Sequence, residues 1–138
     1  MNRNDFQQLA DVRIEEAAAL LAAQKWDGAY YLAGYAVECA LKACIAKQTH
    51  QYDYPPVRKE WEDCYTHDLE RLMKRAGLEL ECNRESAANA DFKRNWLAVQ
   101  DWDESSRYER KSKDQAEKLY NAIIESVIGV LPWLKKHW

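Results

Sequence analysis

At 138 residues, 47% of them hydrophobic and 12% aromatic, the chain has the size and apolar content of one domain with its own core, which excludes disorder. Four glycines and three prolines are too few for the tight turns of an all-β fold. A net charge of −3, from 20 basic and 23 acidic residues without a basic tail, excludes avid nonspecific nucleic-acid binding driven by charge alone and leaves room only for a local cationic patch.

The N-terminal residues carry charges from Arg3 to Glu16 and no apolar run, so no signal peptide is visible. A first helix is predicted from about Asp5 to Gln24, with Phe6, Leu9, Ala10, Ile14, Ala17, Leu20 and Leu21 inward and Asp5 as its cap. Lys25 to Gly28 is a short connection, which makes the next helix an antiparallel neighbour.

That second helix organises the chain. Between Gly28 and Ala46 it carries only two charges, Glu38 and Lys42. At 100° per residue, Ala29, Ala33, Ala36, Ala40 and Ala43 form a small-residue face, with Tyr30, Gly34, Val37, Leu41 and Ile45 beside it. Tyr31, Tyr35, Glu38 and Lys42 form a narrow third stripe. A helix apolar nearly all round is surrounded by other helices. Glu38 and Lys42 stand four apart with the acid first, the favourable order for a helical ion pair. Two readings are open: the pair satisfies itself across one turn, or a ligand or partner meets it. Two charges near the middle of this stretch argue against a membrane span, and a soluble, cytoplasmic protein is expected.

Gln48 to Tyr65, with Pro55 and Pro56, shows no sustained period and reads as a long irregular loop. Thr66 then caps a predicted short helix from His67 to Ala76, closed by Gly77. A fourth helix is predicted from about Arg84 to Asp101, with Ala88, Phe92, Trp96 and Val99 inward. Asp103 to Lys111 is a polar break. The last helix starts near Ser112 and presents Ala116, Leu119, Ile123, Val127, Val130 and Leu134, with Pro132 expected to kink or end it. The expectation is an all-α single domain over residues 1–138, an antiparallel up-and-down four-helix bundle with one additional short helix.

The chemistry-bearing residues are sparse. Cys39, Cys44, Cys64 and Cys82 have no CxxC spacing and read as buried free thiols. His50, His67 and His137 form no metal-ligand cluster, and there is no glycine-rich phosphate loop, so no metal and no cofactor is expected. Ser105 to Lys113 carries four basic residues and one acid beside Trp102 and Tyr108. Arginine among aromatics can hold a base and a phosphate; it can equally be an interhelical corner with Arg107 paired to an acid such as Glu38.

Three landmarks in order, WDGAYYLAGYAVECALK from Trp26, HDLERL from His67 with Ala76, Gly77 and Leu78, and Trp102 through Ser106, Arg107 and Tyr108, resemble the HEPN (higher eukaryotes and prokaryotes nucleotide-binding) domain family over nearly the whole chain. The resemblance implies a helical bundle that homodimerises. Small stand-alone members are paired with a minimal nucleotidyltransferase, often as a toxin–antitoxin couple, or serve as its substrate-binding subunit. The positions matching the family pattern are Glu38, Lys42, His67, Arg107 and Tyr108. Catalytic members are metal-independent ribonucleases that carry an arginine, four to six residues, then a histidine; none of the three histidines here has an arginine at that spacing. Acid–base cleavage at the 2′-hydroxyl needs a group titrating near neutrality. The expected function is therefore a non-catalytic module that binds a nucleotidyltransferase, a nucleotide or RNA through those five residues. The alternatives are a divergent ribonuclease toxin and a structural oligomerisation subunit.

Overall fold

The computed structural model describes residues 1–48 and 65–138. It is an all-α helical bundle, with α1 (Arg3–Ala22), α2 (Trp26–Lys47), α3 (Leu69–Arg75), α4 (Glu79–Ala88), α5 (Ala90–Gln100), a 3₁₀ segment (Glu104–Tyr108), α6 (Lys113–Ile124) and α7 (Val130–Lys135). Most of the stretch expected to be irregular, with His50 and Cys64, lies outside the described residues.

Side-chain pairings fix the directions. Leu20 lies over Gly28 and Arg13 over the Tyr35 ring, so α1 and α2 run antiparallel. Asn95 donates to the Ile128 carbonyl and Phe92 packs on Trp133, so α5 runs against α6 and α7. Lys113 lies near the Trp26 ring at one end and the Cys44 thiol near the Leu134 carbonyl at the other, so α2 and the last pair run parallel. Up-and-down order follows.

The alanine face predicted for α2 is fully buried, and so are Val37, Leu41 and Ile45 beside it. With α1, α3, the 3₁₀ segment, α6 and α7 all packed on it, α2 is the axis of the core. Gly34 is where the Trp102 ring presses closest. A Cβ there would lie 2.3 Å from the indole, so only glycine admits the ring. Trp102 is thereby held with 2% of its surface exposed.

The turn from α1 to α2 and the turn after α3 share one geometry. Gln24 N–H donates to Leu21 O and Lys25 N–H to Leu20 O; Gly77 N–H donates to Lys74 O and Leu78 N–H to Met73 O. Both are Schellman closures with the pivot residue in the left-handed region, at φ +74 for Gly77 and φ +61 for Gln24. Gly77 ends α3 as expected. Gln24 does the same work with a side chain that disfavours it.

Several expected boundaries move, each for a local reason. Asn2, not Asp5, caps α1: its side chain accepts from Asp5 N–H while Asp5 accepts from Asn2 N–H, a reciprocal capping box. Asp68, not Thr66, caps α3 through Arg71 N–H, and Thr66 accepts from Asp68 N–H one step earlier. The predicted fourth helix is two. Asn89 is extended, and its carboxamide oxygen accepts from Asp91 and Phe92 N–H, which stops α4 and starts α5; Ala88, expected inward, is exposed. The last helix breaks at 125–129, not at Pro132. The Glu125 carboxylate accepts from Val127 and Ile128 N–H and turns the chain out, leaving Val127 80% exposed. Pro132 falls in the first turn of α7, where its missing N–H costs nothing.

Candidate functional site

Glu38 is the most buried charge described, at 1% exposure, one turn beyond Tyr35 on α2. Its Oε1 accepts from Lys42 Nζ at 2.8 Å, the helical pair predicted from spacing. The same oxygen lies 2.9 Å from His67 Nδ1, which the residues just before α3 bring across. His67 Nε2 lies 3.2 Å from Glu104 Oε2 on the 3₁₀ segment. The result is a line of alternating charge, Lys42–Glu38–His67–Glu104, reaching from the core to the surface. Both imidazole nitrogens face carboxylate oxygens, and both can donate only when the ring is protonated. Glu38 Oε2 is buried without a hydrogen-bond partner among the described residues, as is Trp102 Nε1.

His67 and Glu104 open onto a cleft of about 590 Å³ that is also lined by Asp68, Glu70, Trp102 and Asp103. Much of its acidity is structural. The Asp68 and Asp103 carboxylates cap α3 and the 3₁₀ segment, the latter through Ser105 N–H.

Arg107 stands apart from this line. Its Nη2 donates to Tyr31 Oη at 2.9 Å, and its guanidinium carbon lies 5.3 Å from the Tyr31 ring and 5.9 Å from the Tyr108 ring. Hydrogen bonding to Tyr31, then to Tyr108, pushes the guanidinium above its ordinary range, so it stays charged at any accessible pH. The corner reading, in which Arg107 pairs with Glu38, is not what forms. Glu38 takes Lys42 and His67, and every partner of Arg107 among the described residues is a tyrosine. Tyr108 is 82% exposed. Tyr31 stacks on Tyr35 at 6.1 Å and 8° and packs against Trp102 at 5.9 Å with the rings tilted by 32°, so the α2 stripe is a backing for the arginine. Burial, then the neighbouring Cys39 and Glu38, pushes the Tyr35 hydroxyl up to about 12, with the Arg13 guanidinium near its ring opposing the shift.

The five residues singled out from the sequence thus fall into two groups: Glu38, Lys42 and His67 in one, Arg107 and Tyr108 in the other. Tyr31 and Glu104 complete them. Tyr31 was visible as a member of the stripe; Glu104 had no sequence signal, because only the packing of the 3₁₀ segment on α2 brings it to His67.

Cys39, Cys44 and Cys82 are free and buried. Burial pushes the Cys39 and Cys44 thiols up to about 12 and Cys82 to about 11, the opposite of what a nucleophilic cysteine needs. No group of three or more metal-ligating side chains occurs among the described residues, and none of their helices is long and apolar enough to cross a membrane. Compared with known proteins, the chain matches no family model, no curated protein and no solved structure.

Proposed function

We propose that this chain is a non-catalytic, HEPN-like binding module that engages RNA or a nucleotide through Arg107 and Tyr108, and that it partners a minimal nucleotidyltransferase as the sequence resemblance implies. One observation carries the reading. Arg107 is an exposed, permanently charged guanidinium that donates to Tyr31 Oη and lies within 6 Å of the Tyr31 and Tyr108 rings, with no carboxylate partner among the described residues. A cation beside aromatic rings with no acid against it among the described residues is a ready phosphate contact, and the exposed Tyr108 ring beside it offers a platform for a base. The Lys42–Glu38–His67–Glu104 line serves as the scaffold that fixes the 3₁₀ segment against α2 and so positions Arg107.

The ribonuclease alternative is less well supported. It needs Arg107, Tyr108 and a neighbouring acid to stand in for the missing arginine–histidine pair, and among the described residues no carboxylate lies against Arg107. The test is fluorescence anisotropy with a labelled twelve-nucleotide single-stranded RNA at low salt. Arg107→Ala weakens binding about tenfold or more, with helical content unchanged by circular dichroism. Equal affinity of variant and wild type removes Arg107 from the site, and cleavage of the RNA during incubation overturns the non-catalytic reading.

A further inference from the structure

The chain after Arg107 is laid along the N-terminal half of α2. Lys111 N–H donates to the Asp27 carboxylate at 2.5 Å, Lys111 Nζ lies 4.4 Å from the Tyr30 ring, and Lys113 Nζ lies 6.0 Å from the Trp26 ring. Residues 107 to 113 therefore step back along α2 from Tyr31 to Trp26, a cation over an aromatic ring at each step. Five helical residues separate the two ends, about 7.5 Å of axis. Where this run ends, a cavity of about 400 Å³ opens beside the turn into α2, lined by Lys25, Trp26, Asp27, Arg110 and Lys111.

Three cations and one acid line that cavity, and the acid is already engaged by Lys111 N–H. Lys25 and Arg110 are exposed and have no ion pair among the described residues. Lys111 is drawn to Glu109, the contact that most raises its pKa. The Trp26 ring is half-buried, with Lys113 at one side. Two cations, Lys25 and Arg110, without an acid among the described residues, an aromatic wall and a volume within the range of small-ligand sites describe a place for one nucleotide.

We infer that this cavity is a second nucleotide subsite and that, with Arg107, it forms a track for single-stranded RNA rather than a seat for a free mononucleotide. The inference rests on the proposed RNA contact at Arg107 and extends it. The ends of the run, at Tyr31 and Trp26, are about 7.5 Å apart along α2, so Arg107 at one end and the cavity cations at the other are placed to meet neighbouring phosphates of one strand. Base stacking on Trp26 and Tyr108 tolerates any sequence, which makes the track one for strand shape and charge.

The experiment measures the same twelve-nucleotide RNA and adenosine monophosphate against wild type, Arg107→Ala and the double variant Lys25→Ala/Arg110→Ala, across a salt series. Wild type binds the twelve-mer at least tenfold more tightly than the mononucleotide. The double variant weakens the twelve-mer about tenfold or more, and its slope of log affinity on log salt is shallower by about 0.7, the loss expected for one phosphate contact on a single strand. Both changed side chains are exposed, and an unchanged melting temperature shows the fold intact. If Arg107→Ala weakens binding but the double variant keeps wild-type affinity and slope, the second subsite falls while the Arg107 reading stands. If the mononucleotide binds as tightly as the twelve-mer, the track falls and a single seat remains. No wild-type binding to either probe overturns both.

Discussion

Lys42→Met tests whether the buried carboxylate on α2 depends on its lysine. Glu38 is 1% exposed, and among the described residues its partners are Lys42 and His67, both on the same oxygen. Removing the ammonium leaves that charge in the core against one imidazole. Breaking a buried ion pair by deleting one partner costs about 3–5 kcal/mol, a large part of the 5–15 kcal/mol a domain commonly has. For 138 residues an unfolding entropy of about 2.1 cal/mol/K per residue gives roughly 0.3 kcal/mol/K, so the melting temperature falls by about 10–17 °C. The companion is Glu38→Gln/Lys42→Met, which loses the same lysine contacts but strands no charge. It melts within about 2 kcal/mol of wild type, because replacing both members of a buried pair is nearly neutral. Thermal unfolding followed at 222 nm and pH 7 reads all three proteins. A single variant that loses less than about 1 kcal/mol, or a double variant as unstable as the single, refutes the argument that Lys42 neutralises Glu38 in the core.

The two Schellman turns give a matched pair. Gln24→Gly removes the left-handed strain at φ +61 and raises stability by about 0.5–1 kcal/mol, whereas Gly77→Ala introduces it at φ +74 and lowers stability by about 1 kcal/mol or more; urea midpoints moving the same way in both refute the assignment. The three described thiols make a pH prediction. Their folded pKa values, about 11 to 12, lie above the ordinary 9.0, so burial favours the neutral form. The thiol contribution to stability is fully present below pH 9 and is lost as pH rises from 9 towards 12. In a Cys64→Ala background the native protein leaves an aromatic disulfide reagent unreacted at pH 8 and reacts fully in denaturant; fast native labelling at pH 8 contradicts the burial.

How far the sequence could be read depended on the range of the physics involved. Helix periodicity is local, so the core-facing side of α1, with Phe6, Ala10 and Ala17 buried and Leu9, Ile14, Leu20 and Leu21 half-buried, and every alanine of the Ala29–Ala43 face of α2 were legible from spacing. So was the Glu38–Lys42 pair, which needs only four-residue spacing. Capping competition is local too but close in energy, which is why Asn2, Asp68 and Asn89 won over the expected boundaries. The break after Ile124 was legible only in retrospect: a glutamate that bonds two backbone N–H groups outcompeted an apolar repeat that would have kept Val127 inside. The partners of His67 and Arg107 depend on which element crosses which, and nothing in the spacing of residues 67, 104 and 107 carries that information.

The separation of the charged residues into two groups bears on function more than any single distance. Had Arg107 paired with Glu38, its charge would have been neutralised in place and the 3₁₀ segment would be only a corner. Instead, Lys42 and His67 occupy Glu38 Oε1, and Glu104 takes the other side of the imidazole. Helix α2 thereby holds the 3₁₀ segment through the histidine and spends none of the arginine's charge doing so. Three residues past Glu104, Arg107 meets Tyr31, whose ring is braced by Tyr35 and Trp102. Trp102 can lie that deep because position 34 is glycine. The small residue on α2, the ring above it and the exposed guanidinium are therefore one mechanical unit, in which core packing sets the geometry of a surface cation.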